Sequence, residues 1–431
     1  MFRTHPNPDC RTLAALLAVL LPLSAQAAET ASPPSLVAGD TAFAFDLYSH
    51  LTSTRGNLFF SPFSISTCLA MTYAGAKGET AHEMAQVLHL QPDPVETAKS
   101  FAALQAQLND AQKGNGIELT TANGLWAQQQ HPFLPAFLAT AHDQYQANLK
   151  EVDFSTAAGP VRQEINDWVS TKTRGKIADL LQPGALNSAT RLVLVNAIYF
   201  KGRWAEPFKT NQTTIDSFNV TSAQKVQTPL MHLKARFRYA ELDGFQLLEL
   251  PYAPGEMSAN GPAPAPGIAP QANPPPGVGR LSLVVLLPKD SEGLIPLENS
   301  LNEKALADWL ALAAPREVEV FFPKFKMTVQ FSLAQILAGM GMPAAFSPQA
   351  DFSGMDGRRD LFISALVHKA FVEVNEGGTE AAAATGTVMA LTAFMPKPAP
   401  VFRADHPFIF LIRDELSGSV LFLGRMVDPT K

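Results

Sequence analysis

The sequence predicts an α+β fold with strands that are buried on both faces. Segments with apolar residues at helical spacing are interspersed with runs that are apolar at both odd and even positions. These segments follow one another without the regular strand–helix–strand rhythm of a doubly wound sheet. The chain has 431 residues, of which 46% are hydrophobic and 17% are charged. It is therefore long and apolar enough to bury a large core.

Three segments show the apolar spacing of amphipathic or buried helices: residues 42–51, 63–74 and 164–180. The second of them follows Ser61 and Pro62. A serine before a proline is typical of a helix N-cap and the first helical residue, so we expect a helix to begin there.

Five runs are predicted to be strands: residues 192–200, 245–250, 281–287, 318–322 and 408–413. Residues 253–280 separate two of them and contain eight prolines and five glycines. A segment with so few large apolar groups cannot join a packed core. We expect an expanded hairpin loop between two directly paired strands; the alternative is an interdomain linker.

The N-terminus has the pattern of a cleavable secretory signal peptide over residues 1–27. Arg3 and Arg11 provide basic charge, residues 13–23 are mostly apolar, and Ala25–Gln26–Ala27 fits the small-x-small cleavage signature. The apolar run is too short to span a membrane. The pattern predicts a secreted or periplasmic protein with a disordered leader at 28–35 and one domain at 36–431.

Composition and motifs argue against several classes of function. The formal net charge is −6, which disfavours nucleic acid as a partner. We also expect no membrane partner. Cleavage would leave Cys68 as the only cysteine, and there is no Cys/His cluster with metal-ligand spacing. His82–Glu83 begins like a metalloprotease motif, but Gln86 stands where the second histidine is needed. We therefore predict no metal, no cofactor and no enzymatic activity.

The most informative segment is residues 374–387, which is small, weakly charged and preceded by the strand-like run 369–374. In an extended conformation, one face would carry small side chains: Thr379, Ala381, Ala383 and Thr385. The other face would carry Glu380, Ala382 and Ala384. The segment is either a flexible surface loop or a strand that enters a sheet without a bulky side chain in its way.

Glu376-x-Gly378-Thr379-Glu380 and the alanines after it resemble the hinge of the reactive-centre loop in inhibitory serpins, a family of serine protease inhibitors. Five more segments resemble serpin sequence blocks in the order of that family: residues 57–65, 195–204, 322–325, 351–355 and 402–410. The chain is accordingly identified as a member of the serpin family, of the secreted bacterial type. The resemblance implies a single α+β domain with three β-sheets, about nine helices and an exposed reactive-centre loop at 376–400.

The resemblance also implies a mechanism. A serine protease attacks the loop as a substrate, and the cleaved hinge inserts into the main sheet as a new strand while the protease is still attached. The hinge residues are Glu376, Gly378, Thr379, Glu380, Ala381, Ala382, Ala383 and Ala384. A non-inhibitory serpin with a chaperone, carrier or storage role is the alternative, although such proteins tend to have charged or bulky hinge residues. A hydrolase has no support from the motifs.

Family roles also carry over to residues outside the loop. Ser61, Ser64, Asn196 and His368 would form the shutter, a polar cluster beneath the place where the sheet opens. Trp204 would pack where the hinge enters the sheet. Taken singly, these residues have ordinary interpretations: a helix N-cap, a strand amide, a core histidine and a core aromatic residue.

The family's spacing between hinge and scissile bond predicts cleavage at Thr392–Ala393, with Leu391–Thr392 as runner-up. Residues 388–394 contain no basic side chain. A specificity pocket with a carboxylate would leave its charge unpaired on this loop. We therefore expect an elastase-, chymotrypsin- or subtilisin-like target, with a cysteine protease as a second option, and a monomeric inhibitor.

Overall fold

The computed structural model describes five ranges of the chain: residues 36–112, 116–130, 132–253, 280–379 and 398–431. The predicted signal peptide at 1–27 and leader at 28–35 lie outside these ranges, and so do residues 254–279 and 380–397. The statements below refer to the described residues.

Ten α-helices occur in the described residues, where about nine were expected. They are α1 Leu36–Leu51, α2 Pro62–Tyr73, α3 Gly78–Val87, α4 Pro94–Ala111, α5 Pro135–Tyr145, α6 Phe154–Lys172, α7 Leu294–Ser300, α8 Glu303–Leu312, α9 Ala334–Met340 and α10 Ser353–Asp356. None of these helices is long and apolar enough to cross a membrane.

The described strands number fifteen. They are β1 Leu58–Phe60, β2 Ile117–Gln128, β3 Asn148–Val152, β4 Leu192–Arg203, β5 Thr214–Asn219, β6 Lys225–Glu241, β7 Phe245–Pro251, β8 Leu281–Pro288, β9 Ala314–Pro323, β10 Phe325–Ser332, β11 Ile363–Asn375, β12 Gly378–Thr379, β13 Val401–Arg403, β14 Phe408–Asp414 and β15 Val420–Met426.

These strands form two hydrogen-bonded sheets. The smaller has the order β10-β11-β12-β4-β2-β3, and the larger has the order β1-β15-β14-β8-β7-β6-β9-β13, with β5 also paired to β6. The resemblance implied three sheets. The count differs because β6, which has 17 residues, pairs with β5 and β9 along most of its length and with β7 at its end. One continuous strand thus joins what would otherwise be two sheets.

The hairpin prediction around the proline-rich segment is confirmed at its two strands. β7 and β8 pair antiparallel, with Leu248 opposite Val285 and Pro251 opposite Ser282. Residues 254–279 therefore connect two neighbouring strands of one sheet, and the linker interpretation does not hold.

The predicted helix over 164–180 is wrong at both ends. α6 begins at Phe154, because the side chain of Asp153 caps it by accepting hydrogen bonds from the backbone N–H groups of Ser155 and Thr156. It ends at Lys172, because Arg174 and Gly175 both adopt positive φ angles that a helix cannot contain. Residues 173–180 are not helical.

Strand β4 is buried on both faces, as its apolar pattern predicts. Leu194 and Ile198 belong to the larger hydrophobic core, which lies between the two sheets and the packed helices. Val193 and Val195 point to the opposite face and belong to a smaller core with α6. The centre of the six-stranded sheet is therefore covered on both sides.

Asp40 is a buried carboxyl group on the first turns of α1. Its Oδ1 atom accepts a hydrogen bond from the Ser66 hydroxyl of α2, whereas Oδ2 has no partner among the described residues. Burial raises the pKa of Asp40 to about 7, and the bond from Ser66 offsets only part of that increase. Around neutral pH, the folded protein therefore holds a proton that the unfolded chain releases.

We expect the substitution Asp40→Asn to remove a pH dependence of stability. Because the folded pKa exceeds the unfolded value, the free energy of unfolding falls as pH rises from about 4 to 7. The difference between the folded and the unfolded pKa of Asp40 corresponds to about 4 kcal/mol of unfolding free energy. The variant should match the wild type near pH 4 and be more stable at pH 8, as measured by urea unfolding. Glu79→Gln, which removes an exposed carboxylate on α3, is the control; parallel pH profiles for wild type and Asp40→Asn would contradict the expectation.

Candidate functional site

The central feature of the site is a partly opened pair of strands in the six-stranded sheet. β4 and β11 run parallel and pair directly between Ile363 and Phe371. Beyond Phe371 they part, and the two-residue strand β12 lies between them, antiparallel to both. Thr379 is opposite Val374 of β11 on one side and Gly202 of β4 on the other.

Gly378 is required by the geometry of this insertion. Its φ angle is +148°, and a Cβ atom at this position would lie 2.1 Å from the carbonyl oxygen of Gly202. No larger residue fits there without moving the backbone of β4. The glycine of the hinge motif therefore has a physical reason: it allows the chain to turn back between two strands at close approach.

Glu376 anchors the start of the hinge. Its carboxylate lies 2.9 Å from the ammonium group of Lys324 and accepts a 2.8 Å hydrogen bond from the Thr213 hydroxyl. Its carbonyl oxygen accepts a bond from the N–H of Phe208. Partial burial works against the charge, but the bonds from Lys324 and Thr213 outweigh it and lower the pKa of Glu376. The glutamate is thus held ionised at the end of β11.

Trp204 lies against the hinge, where the sequence placed it. Its indole Nε1–H donates to the carbonyl of Asn375 at 2.9 Å, and its backbone N–H donates to the carbonyl of Gly377 at 3.0 Å. The indole ring stacks on Tyr252 with 4.8 Å between ring centroids and a 12° angle between planes. One residue thus ties the turn at 376–377 to the end of β4.

Tyr252 is a site residue that the sequence did not reveal. Its hydroxyl oxygen lies 2.7 Å from the hydroxyl oxygen of Thr379, and both residues are fully buried. A tyrosine at the end of an apolar strand is a sign of a buried ring whose hydroxyl needs a partner. The partner comes from a segment 127 positions away, which no local pattern identifies.

The four predicted shutter residues do come together beneath the junction of β4 and β11. Asn196 and His368 are direct neighbours in the parallel register. The Asn196 amide donates to the Ser64 hydroxyl at 2.6 Å, and the Ser61 hydroxyl donates to the carbonyl of Leu421 at 2.6 Å. Ser61 also caps α2, as predicted, by accepting a bond from the N–H of Ser64.

The shutter holds His368 as a neutral imidazole. The backbone N–H of Ser61 donates to Nε2 at 3.1 Å, so the ring proton is on Nδ1, which faces the side-chain oxygen of Asn196. Complete burial lowers the pKa of His368 to about 3. Asn123 of β2, which the sequence did not single out, accepts a further bond from Asn196.

Several predicted site residues lie outside the described ranges. These are the hinge residues Glu380, Ala381, Ala382, Ala383 and Ala384, and the scissile-bond candidates Leu391, Thr392 and Ala393. Their roles stay predictions. Within the described ranges, no three His, Cys, Asp or Glu side chains are grouped so that they could hold a metal ion.

Comparison with known proteins decides the family. The family model described as serpin (serine protease inhibitor) matches residues 38–429. The chain belongs to the serpin family. Leukocyte elastase inhibitor A of Mus musculus is 40% identical to this serpin over 406 residues, which cover 91% of this chain and 99% of the relative.

Solved structures agree with the fold of this serpin. The crystal structure of uncleaved ovalbumin has 31% identity and a TM-score of 0.76, with 92% of this chain and 100% of ovalbumin covered. Human thyroxine-binding globulin complexed with thyroxine has 29% identity and a TM-score of 0.78, with 92% and 99% covered. The predicted α+β serpin fold and the prediction of a serpin-type serine protease inhibitor are confirmed.

Proposed function

We propose that this serpin traps a serine protease by inserting its cleaved hinge between β4 and β11. The observation that carries the proposal is β12: Gly378 and Thr379 already pair with both strands at one end of the slot. Below that point, the facing edges of β4 and β11 pair directly with each other and would separate to admit a longer strand.

The register of β12 on β4 supports the insertion of small side chains. If the register continues, Ala381 comes opposite Phe200, Ala383 opposite Ile198 and Thr385 opposite Asn196. These residues share the face of Thr379, which is buried against the larger core. Alanine and threonine are small enough to enter there, in agreement with the alternation seen in the sequence.

The same register accounts for the polar shutter. Thr385 would arrive between Asn196 and His368, whose side chains bond to each other in the described state. A threonine hydroxyl both donates and accepts, so it can replace the bond that its arrival breaks. Met389 would come opposite Leu192, the first residue of β4, so Thr392 would lie just beyond the strand. This supports cleavage at Thr392–Ala393, with Leu391–Thr392 as the alternative.

We expect the target to be a protease with a small or apolar specificity pocket. Incubation with elastase, chymotrypsin and subtilisin should give complexes that resist denaturant, whereas trypsin should not be trapped rapidly. N-terminal sequencing of the released fragment should begin at Ala393, or at Thr392 for the runner-up bond. The mouse relative is named for elastase, which supports this choice.

Two results of the same panel of proteases would contradict the proposal. Rapid covalent trapping of trypsin, with elastase and subtilisin ignored, would overturn the assigned specificity. A new N-terminus far from residue 393 would overturn the assigned bond. Papain, a cysteine protease, belongs in the panel because an acyl-enzyme with a cysteine could be trapped in the same way.

Secretion and a monomeric state are further parts of the proposal. The basic start, apolar run and Ala25–Gln26–Ala27 motif support export of this serpin, to the periplasm or out of the cell. The relatives in the comparisons include leukocyte elastase inhibitors of mammals and frogs, which lend no support to a bacterial subtype. Sequencing the mature N-terminus of exported protein checks the cleavage after Ala27.

The alternative of a non-inhibitory carrier is supported by the similarity to thyroxine complexes of thyroxine-binding globulin. The hinge of this serpin favours inhibition instead, because Thr379, Ala381, Ala383 and Thr385 leave no bulky or charged group on the inward face. A carrier does not insert its hinge, so it does not need small, uncharged side chains on that face.

A further inference from the structure

The hinge is fastened in the sheet by a buried pair of hydroxyl groups. The oxygen atoms of Thr379 and Tyr252 are 2.7 Å apart, and each residue has 0% relative exposure. Burial raises the pKa of the Tyr252 phenol far above its usual value, so the group is neutral. A buried hydroxyl without a partner is costly, so each of these two groups depends on the other.

The ring of Tyr252 is held rigidly on three sides. The Trp204 ring stacks on one face at 4.8 Å, and the edge of the Phe200 ring lies 5.0 Å away at 71°. Along β4, Gly202 leaves room for the ring: a Cβ atom there would lie 2.7 Å from Cδ1 of Tyr252. The backbone of Tyr252 is fixed by a 2.9 Å bond from its N–H to the carbonyl of Leu281.

These contacts direct the Tyr252 hydroxyl toward Thr379, the first inward-facing residue of the hinge. The walls around that point are apolar rings and the glycine backbone, and among the described residues the Tyr252 hydroxyl is the hydrogen-bond partner of the Thr379 side chain. A valine of the same shape would leave the phenol unpaired, whereas serine would keep the bond.

We propose that Tyr252 is a positioning residue for hinge insertion. Its hydroxyl selects a hydroxyl-bearing residue at position 379 and keeps β12 paired in the sheet. Insertion of the following hinge residues then starts from β12. The proposal rests on the insertion mechanism above. It assigns to Tyr252 a role in starting insertion that is separate from the packing of its ring.

Hydrogen exchange in the intact protein tests the proposal without any protease. Peptides covering 374–379 and 199–204 report whether β12 is seated. Tyr252→Phe and Thr379→Val should each raise exchange there about tenfold, because each leaves one buried hydroxyl unpaired. The double variant Tyr252→Phe/Thr379→Val should return to within about threefold of the wild type, since neither hydroxyl is left unpaired. Thr379→Ser should behave like the wild type.

Tyr239→Phe is the matched control. This tyrosine is also buried, and its hydroxyl accepts a 2.9 Å bond from the Gln246 amide in the other sheet. It should leave exchange at the hinge unchanged. Three results would each overturn the proposal. They are an unchanged exchange rate in Tyr252→Phe, an exchange rate in the double variant that equals the product of the two single effects, and loss of protection in Thr379→Ser.

A second readout separates this proposal from the proposed function. With elastase, the two single variants should shift the products from trapped complex toward cleaved, released inhibitor, and the double variant should recover complex. If the wild type traps no protease of the panel, the proposed function fails. The exchange results would still decide whether Tyr252 holds β12 in the sheet.

Discussion

The substitution Thr379→Arg should convert this serpin from an inhibitor into a substrate. The side chain of Thr379 is fully buried between β4 and β11 and faces Tyr252. An arginine there would have to bury a charge without a partner, which costs several kcal/mol or more. The hinge would stay outside the sheet, and the acyl-enzyme would hydrolyse before insertion. Denaturing gel electrophoresis should show complete cleavage with almost no covalent complex.

Thr214→Arg provides the matched control, because Thr214 is an exposed threonine on β5 of the other sheet. That variant should trap the protease as the wild type does. If Thr379→Arg formed the denaturant-resistant complex at wild-type yield, insertion of the hinge face would not be the mechanism. The experiment therefore tests the buried face, and not the general effect of an added charge.

Cleavage within residues 386–396 should raise the melting temperature, by about 10 °C or more. A new strand of about 10 residues gains ~10–20 hydrogen bonds at ~1 kcal/mol net each. Ordering those residues costs ~1–2 kcal/mol apiece, so the two contributions nearly cancel. A large increase therefore requires that insertion relieves unfavourable packing of the uncleaved sheet, where β4 and β11 close on each other below β12.

A nick elsewhere distinguishes insertion from a general effect of cleavage. Cutting within residues 254–279, between β7 and β8, leaves the hinge intact and should not raise the melting temperature. Differential scanning calorimetry of both nicked forms against the intact protein makes the comparison. A melting temperature that is unchanged or lower after the cut at 386–396 would favour the non-inhibitory alternative.

The structure brings the four predicted shutter residues together and places Trp204 against the hinge, while their roles in insertion stay predictions. Ser61, Ser64, Asn196 and His368 converge because α2 starts beneath β4 and β11, and Trp204 contacts the hinge at the end of β4. Each of these residues alone has an ordinary interpretation. Only the order of six motifs along the chain made their convergence predictable.

Other contacts of the site were out of reach of sequence reasoning. Tyr252, Lys324 and Asn123 each bond to a site residue from distant parts of the chain. Lys324 stands in the serpin-like block 322–325, but that block by itself assigns it no role in the hinge. The bounds of α6 differ from the prediction for a related reason. Asp153 caps the helix well before the apolar spacing that begins at Glu164, and that spacing continues beyond Lys172 into a segment that is not helical.

The sequence by itself determined the properties that depend on near neighbours: the N-cap at Ser61, the two-sided burial of β4 and the small inward face that begins at Thr379. Spacing, caps and alternation act over a few residues and leave a readable pattern. The tertiary structure alone decided that Thr379 is already seated and that Tyr252 is its partner. Those facts depend on how two strands and a distant turn meet, and such long-range register has no local pattern in the chain.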